Sequence, residues 1–372
     1  MHFMMDFAPG TITTLAGSGR VGYGNGGYAG DGGNALSALL FAPFGVDFGP
    51  DGSLYIADTV NHRVRKVAPD GVITTVAGSG PTGPKGGGFS GDNGPAVEAE
   101  LCFPTSVAVS ADGSIFVSDS RNHRIRRISP EGVITTVAGS GPVGPSGGGF
   151  GCDGGPATSA LLNNPRGVVL DKLGNLYIAD TGNHRVRRLD PSGFIDTVAG
   201  FGESGFGGDG GRAKEAMLSS PSGLAIDSDG VLYVADTENH RIRRIDPDGI
   251  ITTMAGCGER GFSGDGGPAS MCRLHTPSDV ACGPDGSLFI ADTVNHRIRK
   301  VFRDGTITTV AGSGPSVFGQ GGFFGDGLPA ISARLDRPEG IAVLFDVELL
   351  VIADSNNHRI RGVIKPGENL EG

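Results

Sequence analysis

The sequence has no tryptophan, and aromatic residues make up only 6% of it. Broad rings of the kind that stack on sugars are therefore scarce. No stretch approaches the ~18 consecutive apolar residues that a membrane-spanning helix requires. The N-terminal segment, Met1 to Phe7, lacks the basic start and long apolar core of a secretion signal. Basic charge is not in excess: the net charge is −10 and the pI about 5.2. That balance argues against a general affinity for nucleic acid or anionic lipid, both of which call for a basic footprint. The five cysteines (Cys102, Cys152, Cys257, Cys272, Cys282) are odd in number and recur at no fixed position. They argue against a disulfide framework and a Cys-based zinc site, and read as thiols in a reducing compartment, with the cytoplasm as the default location.

What is abundant is glycine, 67 residues, alongside 23 prolines and few runs of good helix formers. Such a composition suits an all-β chain with many turns. One motif dominates. Asp58-Thr59-Val60-Asn61-His62-Arg63 returns at Asp119, Asp180, Asp236, Asp292 and Asp354, in steps of 61, 61, 56, 56 and 62 residues. A period of that length filled with short strands predicts propeller blades of four strands each. In the second blade the strands fall near residues 107–109, 114–118, 124–128 and 133–138, separated by Gly-containing turns.

The outer-strand signature Ile-Thr-Thr-Val-Ala-Gly begins at Ile73, Ile134, Ile251 and Ile307, with a variant at Ile195. A sixth copy, Ile12 to Gly17, precedes the first blade, whereas the last blade ends at Ile364 without one. The count closes if residues 11–17 complete the last blade, which removes an open sheet edge. The expected fold is one six-bladed antiparallel β-propeller over residues 1–372. Its blades lie near 41–78, 102–139, 163–200, 219–256, 275–312 and 336–364 plus 11–17. The loops before Pro43, Pro104, Pro165 and Pro338 contain 25 residues and those before Pro221 and Pro277 only 20. Strands are constant and loops vary.

The Asp-Thr-x-Asn-His-Arg turn, the Pro-x-Gly entry and the Ile-Thr-Thr-Val-Ala-Gly strand resemble the NHL repeat. The Phe-x-Gly-Asp-Gly-Gly-Pro-Ala segment resembles the variant found in teneurins and many bacterial repeat proteins. The resemblance covers nearly the whole chain. It implies a six-bladed ring, related in fold to sugar-lactone hydrolases, paraoxonase-like enzymes and peptide-amidating lyases, in a family whose members mostly bind proteins, RNA or other partners.

Residues that recur in every blade read as framework. The six turn histidines lie on a wide ring and cannot converge on one metal; they are expected to tie each hairpin to its neighbour. The arginine-rich third strands are expected to form ion pairs between blades, beside Asp58 and its equivalents. The Gly-Asp-Gly aspartates (Asp31, Asp92, Asp153, Asp209, Asp265, Asp326) are expected to cap a one-turn helix with proline in its first turn. Calcium or another divalent ion is the cofactor such loops could hold, although each offers a single carboxylate.

Residues that break the repeat are the candidates. At the x of Pro-x-Gly the blades carry Phe44, Thr105, Arg166, Ser222, Ser278 and Glu339, with Arg166 and Glu339 opposite each other across a six-fold ring. Asp279 and Ser106 replace the following glycine, and Asp47 replaces an apolar residue two positions further on. Only residues on the innermost strands can meet on a common axis. The long loops are expected to cluster with the Asn-His turns at the channel mouth. This favours a non-catalytic scaffold presenting a loop-rich face to a protein or a small or extended ligand. The alternative is a metal-dependent hydrolase or lyase using Asp47, Asp279 and Glu339, with Arg166 stabilising an anionic intermediate.

Overall fold

In the computed structural model, which describes residues 8–22, 24–144, 146–315 and 321–366, six antiparallel sheets are arranged as six blades. Each blade has four principal strands. In the second blade they are Pro104–Val109, Ile115–Asp119, Arg124–Ile128 and Ile134–Ala138, ordered from the innermost outward. In the last blade the strand Ile12–Ala16 pairs with Arg359–Ile364, Ile12 opposite Val363 and Thr14 opposite Arg361. The head of the chain thus completes the sheet made by its tail. Residues 1–7 lie outside the described residues.

Of the second strands, Leu54–Asp58, Leu288–Asp292 and Leu349–Asp354 are buried along their whole length, and the other three at every position but one aromatic, as expected for a strand covered on both faces. The apolar cores lie between blades. Ala57 and Val64 of the first blade, for example, pack with Leu101, Val107 and Val117 of the second. Leu15 of the closing strand packs with Leu54 and Ile73 across the seam. At about 25 cal/mol per Å² of apolar surface removed from water, these six seams are the main source of stability.

Between the seams lies a repeated ionic framework. Arg65, Arg126, Arg187, Arg243, Arg299 and Arg361 are completely buried. Arg65 reaches Asp58 at 3.2 Å and Asp31 at 2.6 Å; the other five do likewise. These pairs lie within one blade and the loop leading into it, so the expected pairing between blades is not what the arginines do. Nor do the Gly-Asp-Gly aspartates cap helices. Asp31 accepts from Arg65 and from the Thr75 hydroxyl, and the position before each 3₁₀ turn is Asn34, Pro95, Pro156, Arg212, Pro268 or Pro329. A buried guanidinium demands carboxylates, and that demand claims both repeated aspartates. In the last blade Asp326 accepts from Thr14 of the closing strand while pairing with Arg361, so the network itself crosses the closure.

The histidines add a repeated polar contact from each blade to the next. His62 Nδ1 accepts the Phe103 N–H of the next blade at 3.1 Å, and His123, His184, His240, His296 and His358 repeat this around the ring. Burial lowers the pKa of His62, His184, His240 and His358. The neutral tautomer that accepts at Nδ1 then carries its proton on Nε2. In His62, His123 and His358 that Nε2 donates to the carbonyl of Gly83, Gly144 or Gly22. All three carbonyls belong to 25-residue loops.

The loops therefore do not simply crowd the mouth. Each leaves the Asn-His face and runs down the outer rim, where Gly33–Asn34 pairs with Ile73 and Val72 at the edge of the outer strand. It then returns to the axis. The same path covers the other outer strands, shielding edges that would otherwise present unpaired backbone. An aromatic three residues before each loop aspartate, Phe206 for instance, stacks on two arginines, Arg241 at 3.7 Å and Arg243 at 4.9 Å.

Candidate functional site

Each innermost strand follows its entry proline directly inside the Asn-His turn, and Pro104, Pro221 and Pro338 lie opposite the last residue of the second strand. The glycine is required by proximity. A Cβ on Gly167 would sit 2.1 Å from the Ser222 carbonyl oxygen, and one on Gly340 2.0 Å from that of Phe44. Neighbouring blades touch here, main chain to main chain, with the Gly167 N–H donating to Ser222 O and the Gly223 N–H to Ser278 O.

The constriction so formed encloses about 40 Å³ and is lined by Phe44, Thr105, Arg166, Ser222, Ser278, Asp279 and Glu339, together with the glycines and Ser106. All the candidate residues but Asp47 therefore meet. Asp47 lies below, in a wider section of about 310 Å³ that Asp279 also borders.

Convergence does not make all of them available. The Thr105, Ser222 and Ser278 hydroxyls contact the hydroxyls of Ser120, Thr237 and Thr293 and donate to the backbone carbonyls of Arg166, Ser278 and Glu339 in the next blade. They stitch blades together. Ser106, Asp47 and Asp279 do the same work by another route. An innermost strand has a partner on one side only, so alternate N–H groups face the axis. Asp47 accepts from Val109 N–H at 2.8 Å, Asp279 from Ile341 N–H at 2.9 Å and Ser106 from Val168 N–H at 3.3 Å. Each is an intruding polar residue that caps the adjoining blade.

The electrostatics are uneven around the ring. Burial pushes the Asp47 carboxyl up to about 6 and that of Asp279 to about 7, even though their backbone hydrogen bonds pull the other way. Burial also raises Glu339, opposed by Arg166 and Arg337. Arg337 Nε lies 3.8 Å from Glu339. Arg166 stands 5.8 Å above the Phe44 ring and has no carboxylate within 4.0 Å among the described residues. The acids thus occupy the arc of blades five, six and one, facing a guanidinium in blade three. No group of three or more His, Cys, Asp or Glu suited to a metal ion occurs among the described residues.

Sequence reasoning missed the partners rather than the positions. The aromatic–arginine stacks carry a periodic signal that was left unread, the aromatic three residues before each loop aspartate, whereas the N–H groups capped by Asp47 and Asp279 carry none. The capping could have been foreseen from the one-sided pairing of an innermost strand.

A family model of the NHL repeat matches residues 101–128, 162–189 and 335–362, and one of the teneurin NHL domain matches residues 202–260. The chain is similar to human teneurin-4, at 31% identity over 88% of this chain and 12% of that protein. It is similar also to NHL repeat-containing protein 2 of Bos taurus, at 30% identity over 83% of this chain and 44% of that protein. It therefore spans less than half the length of these relatives. Among solved structures, an auxiliary nutrient binding protein from Bacteroides thetaiotaomicron superposes with a TM-score of 0.65 at 20% identity, covering 94% of this chain and 75% of the other. That likeness is one of fold.

Proposed function

Because the chain belongs to the NHL-repeat family, with its repeats closed into a six-bladed propeller, we propose that it is a non-catalytic binding scaffold whose loop-bearing face engages a protein or another extended ligand. One observation carries this reading. The recurring Asp, Arg and His residues are committed to holding blades and loops together, and the channel hydroxyls are committed to backbone carbonyls. What varies on the Asn-His face lies outside those repeated commitments: Val60, Arg121, Gly182, Glu238, Val294 and Asn356 in the turns, with Arg166 and Glu339 at the mouth. A rigid frame with variable positions on one face suits recognition.

The test is a partner captured by the intact chain and mapped by lysine cross-linking. Cross-links to Lys85, on a loop of that face, together with loss of binding in Arg121→Ala/Arg166→Ala, support the proposal. Cross-links confined to Lys66, Lys172 and Lys300 at the other end overturn it. A second reading, a metal-dependent hydrolase or lyase, is favoured only by Asp279 and Glu339 sharing the constriction with Arg166. Metal analysis of the purified protein, and hydrolysis that a chelator abolishes, would promote that reading over the first.

A further inference from the structure

The Asn-His face is not the same all the way round. Where three of the 25-residue loops cross it, the turn beneath grips one glycine of the loop by both its backbone groups. Gly83 donates its N–H to Val60 O at 2.8 Å, and its carbonyl accepts from His62 Nε2 at 2.8 Å. Arg121 O and His123 hold Gly144 in the same way, and Asn356 O and His358 hold Gly22. The φ angles of these glycines are 93°, 89° and 94°. Each glycine carbonyl also accepts the N–H three residues on, closing a β-turn. A Cβ on Gly83 or Gly144 would meet nothing within 4 Å, so the backbone conformation, not crowding, calls for glycine.

The loops that follow blades three and four are five residues shorter, yet the turns beneath them are unchanged. His184 and His240 both have φ 54° and ψ 40°, against 57° and 39° for His62. The difference is cover: His62, His123 and His358 are at most 2% exposed, whereas His184 and His240 are half-buried. Their Nδ1 atoms accept the N–H groups of Ser220 and Thr276, so each neutral ring carries its proton on Nε2. That Nε2–H has no acceptor among the described residues. In blade three the other half of the pair is engaged, because Asn163 Nδ2 donates to Gly182 O at 3.2 Å. In blade four Glu238 O accepts no hydrogen bond among the described residues. There the donor and the acceptor both face solvent, in the geometry that holds a glycine in three sister blades.

We infer that Glu238 O and His240 Nε2 dock a β-turn of a partner polypeptide, taking the turn's first residue, a glycine, by its N–H and its carbonyl. This rests on the scaffold reading and gives it a partner chemistry. A turn held in shape beforehand loses least freedom on docking.

The probe is therefore a cyclic peptide with the sequence of residues 79–88, titrated into the chain labelled with ¹⁵N-histidine and followed by NMR. A saturable shift of the His240 Nε2 resonance is expected, with His184 responding less. Gly83→Val in the peptide should weaken binding roughly tenfold, since valine is strained at that φ. Replacing residues 257–261 of the chain by residues 79–88 supplies the turn from within. It should slow exchange of the His240 Nε2 proton to the rate of His62 and abolish peptide binding. His240→Phe, its fold checked by circular dichroism, should abolish binding too, and serves should the graft not fold. A peptide that leaves His240 unmoved, a valine peptide that binds equally well, or binding that survives both variants would overturn the proposal. If a captured partner then still cross-links to Lys85 and depends on Arg121 and Arg166, only this docking site falls; if that capture fails as well, the scaffold reading falls with it.

Discussion

Replacing Arg243 by methionine removes one guanidinium from the middle of the ionic framework while keeping most of the side-chain volume. In the intact chain that group donates to Asp236 at 3.1 Å and Asp209 at 2.7 Å, and to the carbonyls of Met217 and Gly207, each at 3.2 Å. The two carboxylates differ in what they lose. Asp209 is 37% exposed and can turn to water; Asp236 is wholly buried and keeps only the Ser219 N–H and the Asn239 amide. Leaving one buried charge without its partner costs about 3–5 kcal/mol, whereas breaking the exposed Asp209 arm by Asp209→Asn costs about 1 kcal/mol. Guanidinium unfolding at fixed salt measures both. Adding Asp236→Asn to Arg243→Met should leave the pair about 1–3 kcal/mol more stable than the two separate losses predict, the coupling expected inside one network. If Arg243→Met lies within about 1 kcal/mol of the parent, or the two changes are simply additive, the framework reading of the arginines is wrong.

Three other perturbations have defined outcomes. The folded pKa values of Asp47 and Asp279, about 6 and 7, lie above the ~3.9 of an unfolded aspartate. Their contribution is thus fully present below pH ~4 and lost as pH rises through the folded values; at about 1.4 kcal/mol per pKa unit, shifts of roughly 2 and 3 units set an upper bound on the order of 7 kcal/mol on what the parent loses relative to Asp47→Asn/Asp279→Asn between pH 4 and 8, read from urea midpoints, and parallel pH profiles would contradict this. His62→Phe removes the acceptor for Phe103 N–H and the donor to Gly83 O, an expected loss of about 1–3 kcal/mol accompanied by faster amide exchange in the 79–88 loop; unchanged exchange would show that the ring does not hold that loop. Gly167→Ala, whose Cβ would meet Ser222 O at 2.1 Å, should cost about 1–3 kcal/mol through overpacking, while the same change at Gly193, with nothing within 4 Å, is limited to the cost of its left-handed backbone; equal losses would deny the close approach of blades at the axis.

Much of this architecture could be read from the residues. The recurring Asp-to-Arg turn marked the blades, and the orphan Ile12–Gly17 copy located the closing strand, because a missing partner can be counted. The candidate ring of Phe44, Arg166 and Glu339 was found as a set of exceptions to a repeat, and the fold brings those exceptions to one constriction. What escaped was direction. An arginine in a strand of alternating charge can face its own blade or the next, and only the sheet twist and the returning loop decide that Arg65 meets Asp31. The descent of the loops was hidden for a similar reason: Gly33–Asn34 pairs through backbone alone and leaves no pattern of side chains. The Thr105, Ser222 and Ser278 hydroxyls looked available because their acceptors are carbonyls, which every residue has.

The account depends on the closing strand, and its removal is the sharpest test. Deleting residues 1–17 takes away Ile12, Leu15 and Ala16, all buried, the backbone pairing with residues 360–363, and the Thr14 bond to Asp326. Burial of the two large side chains alone is worth about 3–6 kcal/mol, enough to remove most of the stability of an ordinary domain. Thermal unfolding of the truncated chain should show a transition lowered by well over ten degrees or absent, restored when a peptide of residues 8–18 is added in excess. A truncated chain that melts with the intact one, or a peptide that restores nothing, would contradict the closed ring.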